Sequence, residues 1–177
     1  MHNIPTLETD RLILTAPSQA AIAPFHAFYA SARATYVGGG ISDFKMFQAW
    51  AAISNMIGHW SLRGYGLWTL HRRSDDAVLG HCGLLHWHDW PEAELAYCLY
   101  DETFEHHGYI TEAATTALTY AANHLGQDRV ASFIDPQNTA SINVATRLGA
   151  APQSTITLRD EPATLYRHQS WKGAADA

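Results

Sequence analysis

The sequence predicts a mixed α/β (α+β) domain, and three observations support this fold class. Alternating apolar residues mark short strands, and apolar residues spaced three and four apart mark helices. The two patterns follow one another without a linker, repeat or low-complexity segment. With 177 residues, 47% of them hydrophobic, the chain can bury a sizeable core. We therefore expect residues 1–177 to form a single domain.

The order of these patterns gives the expected elements. Helices are predicted over residues 17–29, 44–60, 111–125 and 138–148. Strands are predicted over residues 9–16, 66–71, 78–87, 94–99, 129–134, 155–158 and 165–167. The strands between residues 66 and 99 are joined by short polar turns, which indicates an antiparallel meander, and the last two strands form a closing hairpin.

Two stretches before the meander carry further expectations. The second helix is expected to present a wide apolar face, made of Phe47, Trp50, Ala51, Ile53, Met56, Ile57 and Trp60. The glycine-rich run from Tyr36 to Asp43 is expected to be a flexible connection. It either lines a substrate entrance or simply joins two helices.

Charge and composition exclude several classes of partner. The formal net charge is −6, with 17 acidic and 11 basic residues and no run of Lys or Arg, so we expect neither nucleic acid nor a membrane surface as a partner. A small or cationic partner fits better. Without a membrane-length apolar stretch or signal-peptide features at the start, a cytoplasmic location is expected. Cys82 and Cys98 fall inside strand patterns and are expected to be buried free thiols.

The stretch from Glu94 to Ala113 changes from a strand pattern to a helix pattern. Leu95, Tyr97 and Leu99 should face one side of the strand, and Glu94, Ala96 and Cys98 the other. Gly108 lies where the chain must turn, just before the helix. The backbone N–H groups from His106 to Thr111 could then bind an anion at the helix start. An ordinary strand-loop-helix connection is the alternative for one such glycine.

A second stretch, residues 134–150, begins Ile-Asp-Pro-Gln-Asn-Thr-Ala-Ser and ends Arg-Leu-Gly-Ala. The two stretches together resemble the GNAT family of N-acetyltransferases, and within it the RimJ/RimL-like branch. In that branch a strand reading Glu-Leu-(Gly/Ala)-(Tyr/Trp) leads into Glu-Gly-(Lys/Arg)-Gly-Tyr-Ala-Thr-Glu-Ala. The motif Asp-Pro-x-Asn-x-Ala-Ser-x-x-Val-Ala-x-Arg-Leu-Gly-Ala follows later. The resemblance extends through residues 9–14, 63–68, 79–84 and 166–168, and so covers nearly the whole chain.

The resemblance implies the acyl-CoA N-acyltransferase fold, whose mostly antiparallel sheet splays to admit the pantetheine arm of acetyl-CoA. Pro136 cannot donate a ladder hydrogen bond, so strand pairing should stop near Asp135. Acetyl-CoA is the implied cosubstrate, without a metal. The positions that match cofactor contacts are the backbone of Cys98, Leu99 and Tyr100, the loop residues His106, His107, Gly108, Tyr109, Ile110 and Thr111, and Asn138, Ser141 and Arg147. Asn138 is also a good helix N-cap.

The implied reaction is direct attack of a primary amine on the acetyl group within a ternary complex. Glu94 is the candidate general base, with an exposed or salt-bridged strand glutamate as the alternative. A backbone N–H near Leu99 or Tyr100 could bind the oxyanion. The tyrosine that often protonates the departing thiolate in the family is replaced by Ala145, which leaves Ser141 as the nearest hydroxyl.

The phosphate loop departs from the branch pattern at three positions. His106 stands where glycine is usual, His107 where Lys or Arg is usual, and Ile110 where a small residue is expected. Crowding and lost charge should weaken the CoA site. Histidines in general titrate at about pH 6.5, so a more pH-sensitive site is also expected.

Other readings stay open at this point. His86 and His88, with Asp89 beside them, could begin a metal site. The chain could also be an acyl-CoA-binding module without turnover. The acceptor could be a protein N-terminal α-amine, or a small amine, amino acid or antibiotic. A homodimer is compatible with the resemblance.

Overall fold

The computed structural model describes residues 4–127 and 129–168, which contain one eight-stranded sheet in the order β1-β2-β3-β4-β5-β6-β8-β7. The strands are β1 (Leu7–Glu8), β2 (Leu12–Thr15), β3 (Leu67–Arg72), β4 (Val78–Leu85), β5 (Glu94–Leu99), β6 (Ala131–Ile134), β7 (Ala151–Leu158) and β8 (Glu161–Arg167). Every neighbouring pair is antiparallel except β5 and β6, which run parallel. The mixed, mostly antiparallel sheet is therefore confirmed.

Four α-helices flank the sheet: α1 (Ile22–Tyr29), α2 (Met46–Arg63), α3 (Tyr109–Leu125) and α4 (Thr139–Arg147). The alanine-rich inner face of α3 packs on the central strands, in a core that includes Leu84, Leu95 and Leu118. Helices α1 and α2 pack with Cys98 and Tyr100 in a second cluster. Leu95, Tyr97 and Leu99 belong to the first cluster and Cys98 to the second, so the predicted alternation along β5 is confirmed.

The apolar face expected for α2 is only partly buried. Ile53 and Trp60 are in the core, but Phe47 and Trp50 are 72% and 54% exposed, and Ile57 is exposed too. Helical spacing shows which residues share a face but not how much of that face a partner covers. The sequence therefore predicts the apolar residues of this helix but not that Phe47, Trp50 and Ile57 stay uncovered.

The ends of several elements differ from the sequence prediction. The opening strand is two short strands, because Thr9 N–H bonds the Leu12 carbonyl in a turn between β1 and β2. The closing hairpin is longer than predicted and turns through Arg159 and Asp160, both with positive φ. Such a two-residue turn matches the right-handed twist of the paired strands. The glycine-rich connection includes a 3-10 helix over Ala32–Val37.

The two cysteines, Cys82 and Cys98, are buried free thiols, as expected. Burial raises the pKa of both thiols, so neither is activated as a nucleophile. Within the described ranges no helix has both the length and the apolar character needed to cross a lipid bilayer.

Candidate active site

The candidate active site lies where β5 and β6 separate. The two parallel strands are paired in register at a single position, Glu94 opposite Ala131. Strand β6 ends at Ile134, just before Pro136, as predicted. Two clefts meet at this split, because Tyr97, Cys98 and Ser141 line both. The two clefts therefore adjoin at the split in the sheet.

The first cleft, of about 1370 Å³, is formed by the starts of α3 and α4 and is called the helix-end cleft here. Most of the predicted cofactor residues line it, namely Cys98, Leu99, His106, Gly108, Tyr109, Ile110, Thr111, Asn138, Ser141 and Arg147. Tyr100 and His107 do not line it. The structure thus brings together residues that are separated by up to fifty positions in sequence.

The start of α3 offers the unpaired donors that the sequence predicts. Gly108 is the N-cap with a φ of +79°, and the first intrahelical bond runs from Glu112 N to the Gly108 carbonyl. The N–H groups of Tyr109, Ile110 and Thr111 precede that bond and have no acceptor within the helix. With the positive end of the helix dipole, they form a site for an anion.

Ile110 does not crowd this site. Its side chain is buried in the main core, so the replacement of a small residue here fills the space between α3 and the sheet. The expected crowding by Ile110 is therefore wrong, because the side chain points away from the donors. His106 keeps a positive φ of 63°, a conformation more easily adopted by the glycine usual in the branch.

Arg11 fixes the phosphate loop, a role that the sequence did not reveal. Its Nε lies 2.7 Å from Glu112 Oε2, and its Nη1 donates to the His107 carbonyl at 2.9 Å. The guanidinium also lies over the Tyr109 ring. Arg11 therefore connects the N-terminal segment to the first turn of α3. It also places a cation on the cleft wall, near His107, which stands where Lys or Arg is usual.

The start of α4 forms the other wall of the helix-end cleft. Asn138 Oδ1 accepts a hydrogen bond from Ser141 N–H at 3.1 Å, which confirms its N-cap role. Tyr97 Oη donates to the Ser141 carbonyl at 3.0 Å. Arg147 Nη1 lies 3.5 Å from Thr111 Oγ1 and joins the two helices across the cleft. Tyr97 is a second hydroxyl at the split that the motif comparison did not single out.

The two backbone N–H groups considered as oxyanion donors, those of Leu99 and Tyr100, differ in the direction in which they point. The Tyr100 N–H already donates to the Leu79 carbonyl at 2.8 Å, so the expectation of a free Tyr100 donor is wrong. In an antiparallel pair successive residues alternate between facing the partner and facing away. The Leu99 N–H is therefore directed away from β4, toward the split. Arg33 contacts the Leu99 carbonyl at 3.4 Å and the Tyr100 carbonyl at 3.1 Å.

Glu94 is the first residue of β5, and only 6% of its surface is exposed. Its carboxyl accepts one weak hydrogen bond, from Phe133 N–H at 3.4 Å, and no cation pairs with it among the described residues. Burial raises the pKa of Glu94 well above the usual value, outweighing this hydrogen bond. An exposed or salt-bridged glutamate, the alternative from sequence, is thereby excluded.

The second cleft, of about 880 Å³, holds Glu94 and is called the aromatic cleft here. Besides Tyr97, its aromatic lining residues are Phe25, Tyr29, Tyr36, Trp87, Trp90 and Phe133. His81 also lines it and hydrogen-bonds Tyr100 Oη at 2.9 Å. Burial lowers the pKa of His81 to about 4, so this imidazole is neutral at physiological pH. The residues of this cleft come from separate stretches between Phe25 and Ala163, so local sequence patterns do not show which of them meet.

The histidines considered for a metal site have other partners. His86 Nε2 lies 3.2 Å from the Trp90 carbonyl, and Asp89 forms an ion pair with Arg159 at 3.0 Å. Across residues 4–127 and 129–168, no three His, Cys, Asp or Glu side chains are grouped as a metal would require. The geometry gives this reading no support.

A split sheet, an anion site at a helix start and a buried carboxyl define the class of enzymes that transfer an acyl group from CoA. The sequence model of the GNAT acetyltransferase domain matches residues 11–151, and the chain belongs to this family. An acetyltransferase from Agrobacterium tumefaciens is 30% identical and superposes with a TM-score of 0.83, covering 94% of this chain and 95% of the other.

Two further relatives extend the comparison. An uncharacterised Bacillus subtilis protein, YkkB, is 29% identical over 139 residues, which is 75% of this chain and 76% of YkkB. The ribosomal L7/L12 α-N-protein acetyltransferase RimL, solved in complex with CoA, is 16% identical with a TM-score of 0.75, covering 92% of this chain and 96% of the other. At this identity RimL shows a shared fold, and that fold agrees with the RimJ/RimL-like resemblance of the motifs.

Proposed function

We propose that this acetyltransferase uses acetyl-CoA to acetylate a primary amine, by direct attack within a ternary complex. The observation that carries the proposal is the meeting of two different clefts at one split in the sheet, with an anion site in one and an unpaired buried carboxyl in the other. The residues fit the cosubstrate, because helix N–H groups suit a pyrophosphate and the split suits a narrow amide-bearing arm.

Acetyl-CoA would lie in the helix-end cleft. The N–H groups of Tyr109, Ile110 and Thr111 would bind the pyrophosphate, with Arg147 and Arg11 as nearby cations. The arm would follow the edge of β5 between Tyr97 and Leu99, whose backbone groups face away from β4 toward the split, with Cys98 between them. Arg33 would have to release the Leu99 carbonyl, which it contacts at 3.4 Å, if the arm bonds there.

Glu94 would act as the general base. It lines the aromatic cleft at the split, where an amine attacking the acetyl group must approach. Because burial raises the pKa of Glu94, its carboxylate is a stronger base than that of an ordinary glutamate and is better matched to accept a proton from an ammonium group. The Leu99 N–H would bind the oxyanion that forms on the acetyl carbonyl.

The thiolate that departs from the acetyl group needs a proton. Ser141 is the hydroxyl suggested by the motif, and Tyr97 is the hydroxyl added by the structure. The Tyr97 hydroxyl is held at the split by its hydrogen bond to the Ser141 carbonyl, and burial raises the pKa of Tyr97, so the phenol carries its proton at physiological pH. We therefore assign proton donation to Tyr97, with Ser141 orienting it through its carbonyl. This assignment keeps a tyrosine in the role although α4 carries Ala145 instead.

A direct test combines binding and turnover. Titration calorimetry with acetyl-CoA should show one site per chain, and thiol release should require both acetyl-CoA and an amine. Binding without thiol release for any primary amine would support the non-catalytic CoA-binding module instead. The RimJ/RimL-like resemblance makes a protein N-terminal α-amine one acceptor to include, beside small amines. We also propose a cytoplasmic location and a homodimer.

A further inference from the structure

The acceptor class can be inferred from the aromatic cleft, and this step rests on the proposed function. The carboxyl of Glu94 at the base of the cleft has no cationic partner among the described residues, although it is almost fully buried. A buried carboxyl without a partner is costly unless a ligand supplies the missing positive charge. The base of the cleft is therefore complementary to an ammonium group.

The walls above Glu94 are suited to a ring. Trp90 and Phe133 meet edge to face, with ring centroids 5.3 Å apart, and Tyr29 stacks on Phe25 at 4.1 Å. Trp87 retains 37% exposure and leaves part of its surface uncovered. Aromatic walls favour aromatic or apolar ligands, through burial of apolar area and through ring-ring contacts.

The charged side chains lining the cleft disfavour an acidic acceptor. Asp135 and Glu161 line it, and Arg159 is the one cationic side chain to do so within residues 4–127 and 129–168. The Arg159 guanidinium is already paired with Asp89 and lies 5.1 Å from the Trp87 ring centroid. A peptide with several carboxylates would meet like charges at this cleft.

We propose that the acceptor is an arylalkylamine, a primary amine on a short chain that ends in an aromatic ring. The ammonium group would approach Glu94, and the ring would lie against Trp87, Trp90 and Phe133. The ammonium first gives a proton to the Glu94 carboxylate, and the neutral amine nitrogen then attacks the acetyl carbon to form a tetrahedral adduct. The C–S bond breaks, and the departing thiolate takes a proton from Tyr97. The amide nitrogen loses its surplus proton, which restores the Tyr97 phenol.

The test compares kcat/KM at saturating acetyl-CoA for 2-phenylethylamine, ethylamine, putrescine and a tetrapeptide of acidic composition with a free α-amine. We expect kcat/KM for 2-phenylethylamine to exceed that for each of the other amines about 10-fold or more. A single buried methylene already changes kcat/KM about 10-fold, and a buried ring removes more apolar area from water. Trp87→Ala should lower the ratio of kcat/KM for 2-phenylethylamine to kcat/KM for ethylamine by about 10-fold. Trp50→Ala is the matched control, because Trp50 is exposed on α2 and lines neither cleft.

The possible failures are distinguishable. If putrescine or the peptide is acetylated best, the arylalkylamine class is overturned while acetyl transfer stands. If acetyl-CoA binds but no amine releases thiol, the proposed function itself is overturned. If Trp87→Ala and Trp50→Ala lower 2-phenylethylamine turnover equally, the ring does not lie against Trp87, and the placement is wrong.

The pairing of β5 with β6 stops after one position, and side chains hold the split open. With Glu94 opposite Ala131, the next bond of a parallel ladder would join Phe133 N–H to the Leu95 carbonyl. Instead, the Leu95 carbonyl and the Phe133 N–H are both hydrogen-bonded by side chains. Leu95 O accepts from Ser132 Oγ at 2.9 Å, and Phe133 N–H donates to the Glu94 carboxyl.

The hydroxyl of Ser132 is fixed by a second partner, His168 Nε2, at 3.0 Å. Because a carbonyl can only accept, Ser132 donates its single hydrogen to Leu95 and must accept one from His168. Burial lowers the pKa of His168 to about 4, and the neutral ring then carries its hydrogen on Nε2. This agrees with the absence of a partner for His168 Nδ1, an unprotonated atom in that tautomer.

We infer that Ser132, held by His168, is a positioning residue that stops the β5–β6 ladder and frees Phe133 N–H to orient Glu94. In Ser132→Ala the Leu95 carbonyl loses its partner, so the ladder can extend by one bond across the split. Phe133 N–H should then exchange with solvent about 10-fold more slowly, and the KM for acetyl-CoA should rise about 10-fold.

Ser132→Thr keeps the hydroxyl and should restore both values. Ser54→Ala is the control, because it removes one serine-to-backbone hydrogen bond on α2, away from the split. A Ser132→Ala protein with lower melting temperature but unchanged Phe133 exchange and unchanged KM would assign Ser132 a structural role only. That result would overturn the inference.

Discussion

The two clefts that meet at the split are built by different means. The helix-end cleft is made largely of backbone: a glycine-capped helix start, a second capped helix and the edge of β5. The aromatic cleft is made of side chains around one carboxyl. Backbone donors recognise a group common to all reactions of a family, whereas side-chain walls can change without disturbing the fold. Under the proposed function, the helix-end cleft is the general cosubstrate site and the aromatic cleft is the specific acceptor site.

The largest expected effect tests the helix-end cleft alone. Gly108→Asp should weaken acetyl-CoA binding about 100-fold or more, because a carboxylate at the helix start repels phosphate and the φ of +79° strains a side chain. Calorimetric titration measures the change. Gly126→Asp is the matched control, since Gly126 also has positive φ and open space but lies at the other end of α3. Equal losses in both variants would mean that helix strain, and not the anion site, explains the result.

The next effect tests the aromatic cleft. Glu94→Gln should lower kcat about 100-fold while acetyl-CoA affinity stays within about twofold, since a base contributes to the transition state and not to cofactor binding. The rate of the wild type should rise with pH through an apparent pKa above 4.5, as Glu94 loses its proton. The variant should lack this acidic limb. A limb that survives in Glu94→Gln belongs to another group, and Glu94 would then be structural.

A smaller effect distinguishes the two hydroxyls at the split. Tyr97→Phe should lower kcat about 10-fold, because it removes the phenol assigned to protonate the thiolate. Ser141→Ala should change kcat less, since Tyr97 contacts the Ser141 carbonyl and not its hydroxyl. Rapid-quench measurement of the acetyl-transfer step checks both. The reverse order of effects would return the role of acid to Ser141.

The smallest effect concerns stability and follows from the buried carboxyl. Because the folded-state pKa of Glu94 is raised, the wild type loses stability as pH rises through that pKa, where the buried group must ionise. Glu94→Gln avoids this loss and should melt a few degrees higher at pH 8, about 2–4 °C per kcal/mol, with no difference at pH 4. Differential scanning calorimetry at both pH values measures it.

Glu92→Gln should behave in the opposite way. Its hydrogen bond to Arg167 lowers the pKa of Glu92, so its contribution is present above the unfolded-state pKa and is lost in acid. This variant should melt lower than the wild type at pH 8. A Glu94→Gln protein that also melts lower at pH 8 would show that the fold stabilises the Glu94 carboxylate, and burial would then not raise its pKa.

The sequence determined the fold class, the order of the elements and most of the helix-end cleft. The reason is that these features follow from local rules: period-two and helical spacing, glycine at a helix start, an N-cap at Asn138 and a proline that ends β6. Such rules depend on residues within a few positions of one another. The burial of Cys82 and Cys98 was predictable for the same reason, from their place in strand patterns.

Only the tertiary structure decided which groups are free and which are occupied. The Tyr100 N–H donates to the Leu79 carbonyl, and the Ile110 side chain is buried in the core. Arg11 contacts the loop before α3 although it lies about a hundred residues away in sequence. The aromatic cleft likewise combines side chains from Phe25 to Phe133. These contacts join residues with no fixed spacing in sequence, so a local pattern carries no record of them. Under the proposed function the acceptor would be selected by such contacts, because a side-chain pocket exists only once distant segments have packed together.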